Sequence, residues 1–267
     1  MVGKKKRQSR AVPLLGSHQK CWIWGKHVVL EILRAGRWQP WEVHLDRTLL
    51  EPETLAELEQ LLDRNSVPGS GLTGDQIARL CGARDHQGLI AKMPPFPYAS
   101  EETALQLLHS RSAVLVLAGI QDPFNFGSIL RSADLFGLEA IFVPRQGQAA
   151  VSAHVARSSA GAVNYLEIAA VDDLPATCRQ LRRQGLQLLA ATEKGTSAPA
   201  GIDLQRASAM IIGNEGTGIP QPLLSLCDHQ VCIPLSGHVG SLNAAVAAGI
   251  LCYELHRQRL GSSGTDG

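Results

Sequence analysis

Long hydrophobic runs are missing from this chain of 267 residues. No stretch approaches the ~18 apolar residues that a membrane span requires. The first residues, MVGKKKRQSRAVPLLGS, are basic but lack the apolar centre of a signal peptide, so the expectation is a soluble, cytoplasmic protein. Paired cysteines are missing as well. Cys21, Cys81, Cys178, Cys227, Cys232 and Cys252 contain no C-x-x-C, and the nine histidines no H-E-x-x-H. This argues against a disulfide framework, and for buried reduced thiols and no metal. A charge surplus is also lacking, since the net charge is only +1. Lys4, Lys5, Lys6, Arg7 and Arg10 are not balanced by any acid in the first ten residues; without them, 20 basic residues face 24 acidic ones, a net charge of −4. A nucleic-acid surface would have to be a local patch plus the tail, and not a uniformly cationic body.

Three prolines in KMPPFPYASEETA (Pro94, Pro95 and Pro97), followed by polar and acidic residues, read as a linker. The expected organisation is a basic tail (1–20), a small α/β unit (21–93), the linker (94–111), a larger α/β unit (112–260) and a short tail (261–267). In the small unit, GKHVVLEILRAG, EPETLAELEQLLDRNS and TGDQIARLCG carry helical periodicity, the last with Thr73 as N-cap. WEVHLD and HQGLIAKM read as strands. In the larger unit the strand-like runs are AVLVLAGI, EAIFVP, NYLEIA, LQLLAAT, SAMIIG and HQVCIPL. They alternate with the helical stretches NFGSILRSADLFG, HVARSSAGA, DDLPATCRQLRRQG and SLNAAVAAGILCYELHRQRL. Continuous apolar strands alternating with helices predict a mainly parallel sheet covered on both faces. Ligands of such sheets sit at the carboxyl ends of the strands.

Three segments fall at those ends. In QDPFNFGSILRSADLFG, the residues Phe126, Ile129, Leu130, Ala133 and Phe136 form a buried stripe. Arg131 lies off it, one turn beyond Gly127, which is expected to leave open space above the guanidinium. Asn125 sits where the helix begins. IIGNEGTGIP has Gly213, Gly216 and Gly218 spaced as G-x-x-G-x-G. That is neither the dinucleotide fingerprint nor a P-loop, which needs Lys and Ser/Thr after its last glycine. Glu215 in the loop would repel a phosphate, so a cationic or neutral polar ligand fits better; a plain tight turn is the alternative. In IPLSGHVGSLNAAVAAGILCYEL, Ser241 or Asn243 can cap a helix, and Ala244, Ala245, Ala247, Ala248 and Gly249 permit close packing.

Together the three segments resemble the signature motifs of the SpoU/TrmH family of RNA ribose 2′-O-methyltransferases, over residues 112–259. The matching residues are Asn125, Gly127 and Arg131; Gly213, Glu215, Gly216 and Gly218; and Pro234, Ser241, Leu242 and Asn243. WGKHVVLEIL and HQGLIAKM are similar to the ribosomal-protein-like RNA-binding unit of the members that act on large-subunit rRNA. Phe124 and Phe126 stand where His and Leu are frequent. The resemblance implies a parallel α/β domain with a C-terminal trefoil knot and a homodimer, with the active site at the subunit interface. It implies an S-adenosylmethionine pocket formed by Thr192, Gly213, Asn214, Glu215, Gly216, Ile233, Leu235, Leu242 and Asn243. It further implies methylation of a guanosine ribose in 23S-type rRNA, with Arg131 as the principal catalytic group. That arginine would act as base, as alkoxide stabiliser or as phosphate anchor. Asn125 would orient Arg131 or the ribose, Ser241 and Asn243 would shape the methyl end of the pocket, and Glu215 would order the loop or meet a partner subunit. A tRNA substrate and a non-catalytic RNA-binding homologue are the alternatives. An oxidoreductase would need G-x-G-x-x-G after its first strand, where GIQDPFNFG stands.

Overall fold

The computed structural model describes residues 21–260, so the basic tail and the last seven residues lie outside the described part. Ten strands and nine α-helices form two sheets among the described residues.

The first sheet has four strands in the order β1 (Cys21–Trp24), β4 (Leu89–Met93), β2 (Glu42–Leu45), β3 (Gly69–Gly71). β4 runs antiparallel to β1 and β2, and β3 runs parallel to β2. Helices α1 (Lys26–Ala35), α2 (Pro52–Asn65) and α3 (Gly74–Cys81) accompany it. Thr73 caps α3 as expected, in a reciprocal box with Gln76. Neither β1 nor β3 is expected from the pattern. Both are short, and β3, with the sequence Gly-Ser-Gly, gains its conformation from pairing with β2.

Residues 94–111 are not the slack connection their composition suggests. Ala99 bridges Ala169 in parallel, the Tyr98 hydroxyl accepts from the Val151 N–H (2.8 Å), and α4 (Glu101–Gln106) follows with Ala104 buried. The prolines end at Pro97, and Ser100 then accepts from the Thr103 N–H (3.1 Å) to start a helix with two acids in its first turn.

The second sheet has six strands, all parallel, in the order β10 (His229–Val231), β8 (Gln187–Ala191), β9 (Ser208–Gly213), β5 (Ala113–Ala118), β6 (Ala140–Pro144), β7 (Glu167–Val171). Each corresponds to an expected run, although β10 stops at Val231, after which the Cys232 N–H donates to the Ser197 carbonyl (2.9 Å) instead. One face packs on α5 (Pro123–Leu135), α6 (Ala153–Ser158) and α9 (Ala244–Leu260). The other packs on α4, α7 (Leu174–Arg183) and the short α8 (Gln221–Leu224). The pleat divides the residues accordingly: Leu115 and Leu117 join the first face, Val114 and Val116 the second.

The first face's core does not stop at the sheet. One buried cluster runs from Ile23, Leu33, Trp38 and Leu58 to Leu115, Phe126, Ile141 and Leu251. Across the same junction Arg37 pairs with Glu167 and donates to the Leu166 carbonyl (2.8 Å), and Tyr165 donates to Glu31 (2.7 Å). The five cysteines whose side chains are described are free. Only Cys178 and Cys252 are fully buried; Cys81, Cys227 and Cys232 are half-buried, which corrects the expectation for those three. Burial pushes the Cys178 and Cys252 thiols up to about 12, leaving them inert.

Candidate functional site

Because the strands are parallel, the carboxyl ends of β10, β8, β9 and β5 lie side by side. They place Ile233, Thr192, Gly213 and the turn Gly119–Asp122 along one crevice. The glycine loop leaving β9 is a tight turn with a definite construction. The Asn214 N–H donates to the Gly218 carbonyl (3.1 Å) and the Gly218 N–H to the Asn214 carbonyl (2.9 Å). A Cβ on Gly213 would stand 2.5 Å from the Gly218 carbonyl carbon, so only glycine admits this closure; Gly218 takes φ +68°, the left-handed region. The Asn214 side chain fills the turn. Its oxygen accepts from the N–H groups of Gly216 (2.9 Å) and Thr217 (3.0 Å), and its amide donates to the Gly119 carbonyl (2.7 Å) on the neighbouring loop.

Glu215 ties this loop to α5. Its carboxylate accepts from the Gln121 and Asp122 N–H groups (each 3.2 Å) and from the Asn125 amide (3.2 Å). Partial burial pushes the carboxyl up, but its own backbone N–H, the Asn125 amide and the two loop N–H groups outweigh that and hold it below the ordinary carboxylate value. The Asn125 oxygen in turn accepts from the Asn243 amide (2.9 Å), and the Asn243 oxygen caps α9 by accepting from the Ala245 N–H (2.8 Å). Residues from three segments, Glu215, Asn125 and Asn243, therefore form one hydrogen-bonded line. Asn243 is the helix cap; Ser241 is exposed and makes no hydrogen bond among the described residues.

Arg131 is exposed and has no ion pair or hydrogen bond among the described residues, so Asn125 does not orient it: the Asn125 amide is occupied by Glu215 and Asn243. The expectation of open space at Gly127 is also overturned. Gly127 is buried, and a Cβ there would fall 1.8 Å from Ser158 Oγ and 2.8 Å from the Val155 carbonyl oxygen. Gly127 exists to let α6 approach α5. On α9, Gly249 faces Ser132 of α5 less tightly: an added Cβ would lie 3.4 Å from the hydroxyl, an ordinary contact. One supporting residue went unanticipated. Gln148 is buried and accepts from the Ile120 N–H (2.9 Å), fixing the loop that leads into α5; a lone glutamine in a loop gives no sequence signal for this.

From Ile233 to Leu242 the chain lacks regular structure, and none of its N–H groups donates to another backbone group among the described residues. Ile233 and Leu242 are half-buried, and Leu235 is 44% exposed. Thr192 is half-buried, its N–H donating to the Val231 carbonyl (2.9 Å). Unspent main-chain donors and acceptors beside apolar side chains suit a purine nucleoside, and the Glu215 carboxylate nearby suits a cationic group. The residues present thus fit S-adenosylmethionine. Cavities of about 440 and 330 Å³ open between α4 and α7 and at the amino-terminal end of β8, and neither includes a residue of this crevice. Among the described residues no cluster of three or more His, Cys, Asp or Glu could hold a metal ion, and no helix is long and apolar enough to cross a membrane.

Residues 112–253 match the SpoU rRNA Methylase family. The chain is 31% identical over 249 residues to the 23S rRNA (guanosine-2′-O-)-methyltransferase RlmB of Xanthomonas campestris pv. campestris, covering 92% of this chain and 100% of that one. A solved RNA 2′-O ribose methyltransferase superimposes with a TM-score of 0.71 at 28% identity, over 90% of this chain and 88% of that one. The fold also matches the SpoU methyltransferase AviRb of Streptomyces viridochromogenes in complex with the cofactor AdoMet, with a TM-score of 0.75 at 23% identity, over 90% of each chain.

Proposed function

The chain belongs to the SpoU rRNA methylase family, and from that premise we propose that it transfers a methyl group from S-adenosylmethionine to a ribose 2′-hydroxyl of RNA, at a guanosine of 23S-type rRNA. The observation that carries this reading is the line Glu215–Asn125–Asn243. It gathers three segments far apart in sequence at one set of strand ends and leaves Arg131 free beside them. The rRNA assignment is supported by the RlmB relative, whose whole length this chain matches.

When bound, S-adenosylmethionine supplies an electrophilic methyl carbon on a sulfonium. The backbone of Gly213, Ile233 and Leu242 holds the adenosyl part, with Thr192, Asn214, Gly216 and Leu235 around it. Glu215 acts through structure: by accepting the Gln121 and Asp122 N–H groups it fixes the glycine loop against α5. Asn125 and Asn243 hold the first turn of α5 to the start of α9, and Ser241 closes the methyl end. A ribose 2′-hydroxyl is a weak nucleophile, so it needs positioning and stabilisation of the charge that develops on its oxygen. A guanidinium remains protonated in proteins. Arg131 is therefore assigned to that oxygen and to the adjoining phosphate. The hydroxyl proton passes to an oxygen of that phosphate and on to water, while the methyl–sulfur bond breaks as the oxygen–methyl bond forms, leaving the cofactor as the neutral thioether.

The finer architecture is part of the same proposal. After β10 at the edge of the sheet, the chain returns past the ends of β8 and β9 to reach α9 on α5, a course that supports a C-terminal trefoil knot. Val246, Ile250, Tyr253 and Leu260 recur at helical spacing on α9 and are all exposed, which supports a homodimer formed on that face. The 21–93 unit serves as the RNA-binding unit, and the site of action is the cytoplasm.

The test is transfer of labelled methyl from S-adenosylmethionine to unmodified 23S rRNA transcripts and, separately, to tRNA transcripts, with Arg131→Ala as control. Label confined to rRNA and absent with the variant is expected. Label confined to tRNA would overturn the substrate, and failure of the protein to bind S-adenosylmethionine would overturn the activity.

A further inference from the structure

Three rings run from the first sheet to the edge of the crevice. Trp24, at the end of β1, is buried. Its indole N–H donates to Asp85 (2.9 Å), and the Arg157 guanidinium, paired with the same carboxylate, lies over its ring at 4.5 Å from the centroid. His154, in the first turn of α6, stands edge-on to that indole, with centroids 6.1 Å apart and planes at 82°. Phe124 leans on His154 at 5.7 Å and 48°, and remains 60% exposed. A phenyl ring left in water forgoes the gain of burial, yet this one is steadied by two rings and an ion pair reaching into the other sheet.

Its position gives the reason. Phe124 precedes Arg131 by seven residues, almost two full helical turns, so the two side chains leave α5 on one face about 10 Å apart along the axis. Ser128 lies between them and is exposed. The nearer neighbours along this line, Ser128 and Arg131, are polar or charged, and Gln121 is exposed at the preceding turn. Leu135, the one exposed leucine on it, stands about three turns from the ring, whereas the centre of a protein contact would surround an aromatic ring with apolar residues. Aromatic faces beside cationic groups are how proteins hold unpaired RNA bases.

We propose that Phe124, steadied by His154, is a stacking platform for an unpaired RNA base adjacent to the ribose that is methylated. The inference rests on the RNA reading of the preceding subsection. It assigns Phe124 to substrate binding and makes His154 a positioning residue.

The experiment uses the full chain and two assays. In methyl transfer to a 23S rRNA transcript, Phe124→Ala raises KM for RNA roughly tenfold, the scale of one base–aromatic stack, and leaves KM for S-adenosylmethionine unchanged. Phe124→Trp retains the wild-type value. In binding, a fluorescent single-stranded adenine dodecamer is compared with the same ribose-phosphate backbone carrying no bases. Phe124→Ala weakens the first roughly tenfold and leaves the second unchanged. Equal losses on both oligomers would overturn the platform, as would a Phe124→Leu variant indistinguishable from wild type. A shift of Phe124→Ala to half the solution mass would overturn it in favour of a contact between two copies of the chain. If the wild type transfers methyl to no RNA, the enzymatic reading fails by itself, and the pair of oligomers still decides the platform.

Discussion

Helices α5 and α7 begin with the same device and are then used in opposite ways. Each has an aspartate cap, Asp122 accepting from the Phe124 N–H (3.0 Å) and Asp173 from the Ala176 N–H (2.9 Å), and each has proline in its first two positions. α7 buries a single stripe of Leu174, Thr177, Cys178 and Leu181 and gives its arginines to solvent. α5 is enclosed by the sheet, α6 and α9, and its exposed residues are reduced to the line Phe124, Ser128, Arg131, Leu135. A helix that only supports the fold has one buried stripe. A helix that presents a site has one exposed stripe, and what stands on that stripe can be spared by packing and used for chemistry.

The sharpest way to break this contrast is to remove one arginine from each helix. Arg131→Ala is expected to lower methyl transfer by roughly 10²–10³-fold, the range for loss of a group that stabilises developing charge, with S-adenosylmethionine affinity within a few-fold of wild type. Arg179→Ala, on the exposed side of α7, is expected to change neither. Turnover and calorimetric binding together check both halves.

Next comes the enclosure of α5. Gly127→Ala forces a methyl group toward Ser158 Oγ and the Val155 carbonyl and should cost about 1–3 kcal/mol, as overpacking does. Ser158 could move aside; the backbone of α6 cannot do so cheaply. The double variant Gly127→Ala/Ser158→Ala should therefore recover only part of the loss in chemical denaturation. Full recovery would mean that the side chain alone fills the space.

The shared caps give a smaller effect that separates the helices by its readout. Asp122→Ala and Asp173→Ala should each cost about 1 kcal/mol of stability, but only Asp122→Ala should also slow methyl transfer, because its residue begins the helix that carries the site. Equal activity in both variants would remove the distinction.

The smallest effect concerns pH. The Glu215 carboxyl lies below its ordinary value in the folded chain, so its contribution is fully present above the ordinary carboxylate range and is lost as pH falls through the lowered value. S-adenosylmethionine affinity should accordingly weaken on acidification below that range in the wild type, and Glu215→Gln should remove this part of the pH dependence. An unchanged pH profile in the variant would assign the acid response to another group.

What could be read from the sequence follows the same contrast. The strands of the large sheet are continuous apolar runs, and the stripe Phe126, Ile129, Leu130, Ala133, Phe136 is periodic, so both could be read directly, although Phe136 is only half-buried. β3 could not, because Gly-Ser-Gly has no strand preference apart from its neighbour. α4 lay concealed behind three prolines, although Ser100 and two acids announced it. In the site, the participating residues could be named, but their arrangement could not. Asn125 reads as a partner of Arg131 or of the ribose, and only the direction in which the first turn of α5 faces turns its amide to Glu215. Gly127 is ambiguous for the same reason, since an absent side chain cannot say which neighbour has taken its place.

The junction between the two sheets has a consequence for the life of the molecule in the cell. Tyr165 and Glu31, Arg37 and Glu167, and Arg157 beneath Trp24 join units whose compositions part company near residue 94. A fragment beginning at residue 112 would carry all three signature segments and the whole family match, yet it would expose to water the side of α6 on which β1 now rests. Quality-control proteases that recognise bare apolar surface would find it there.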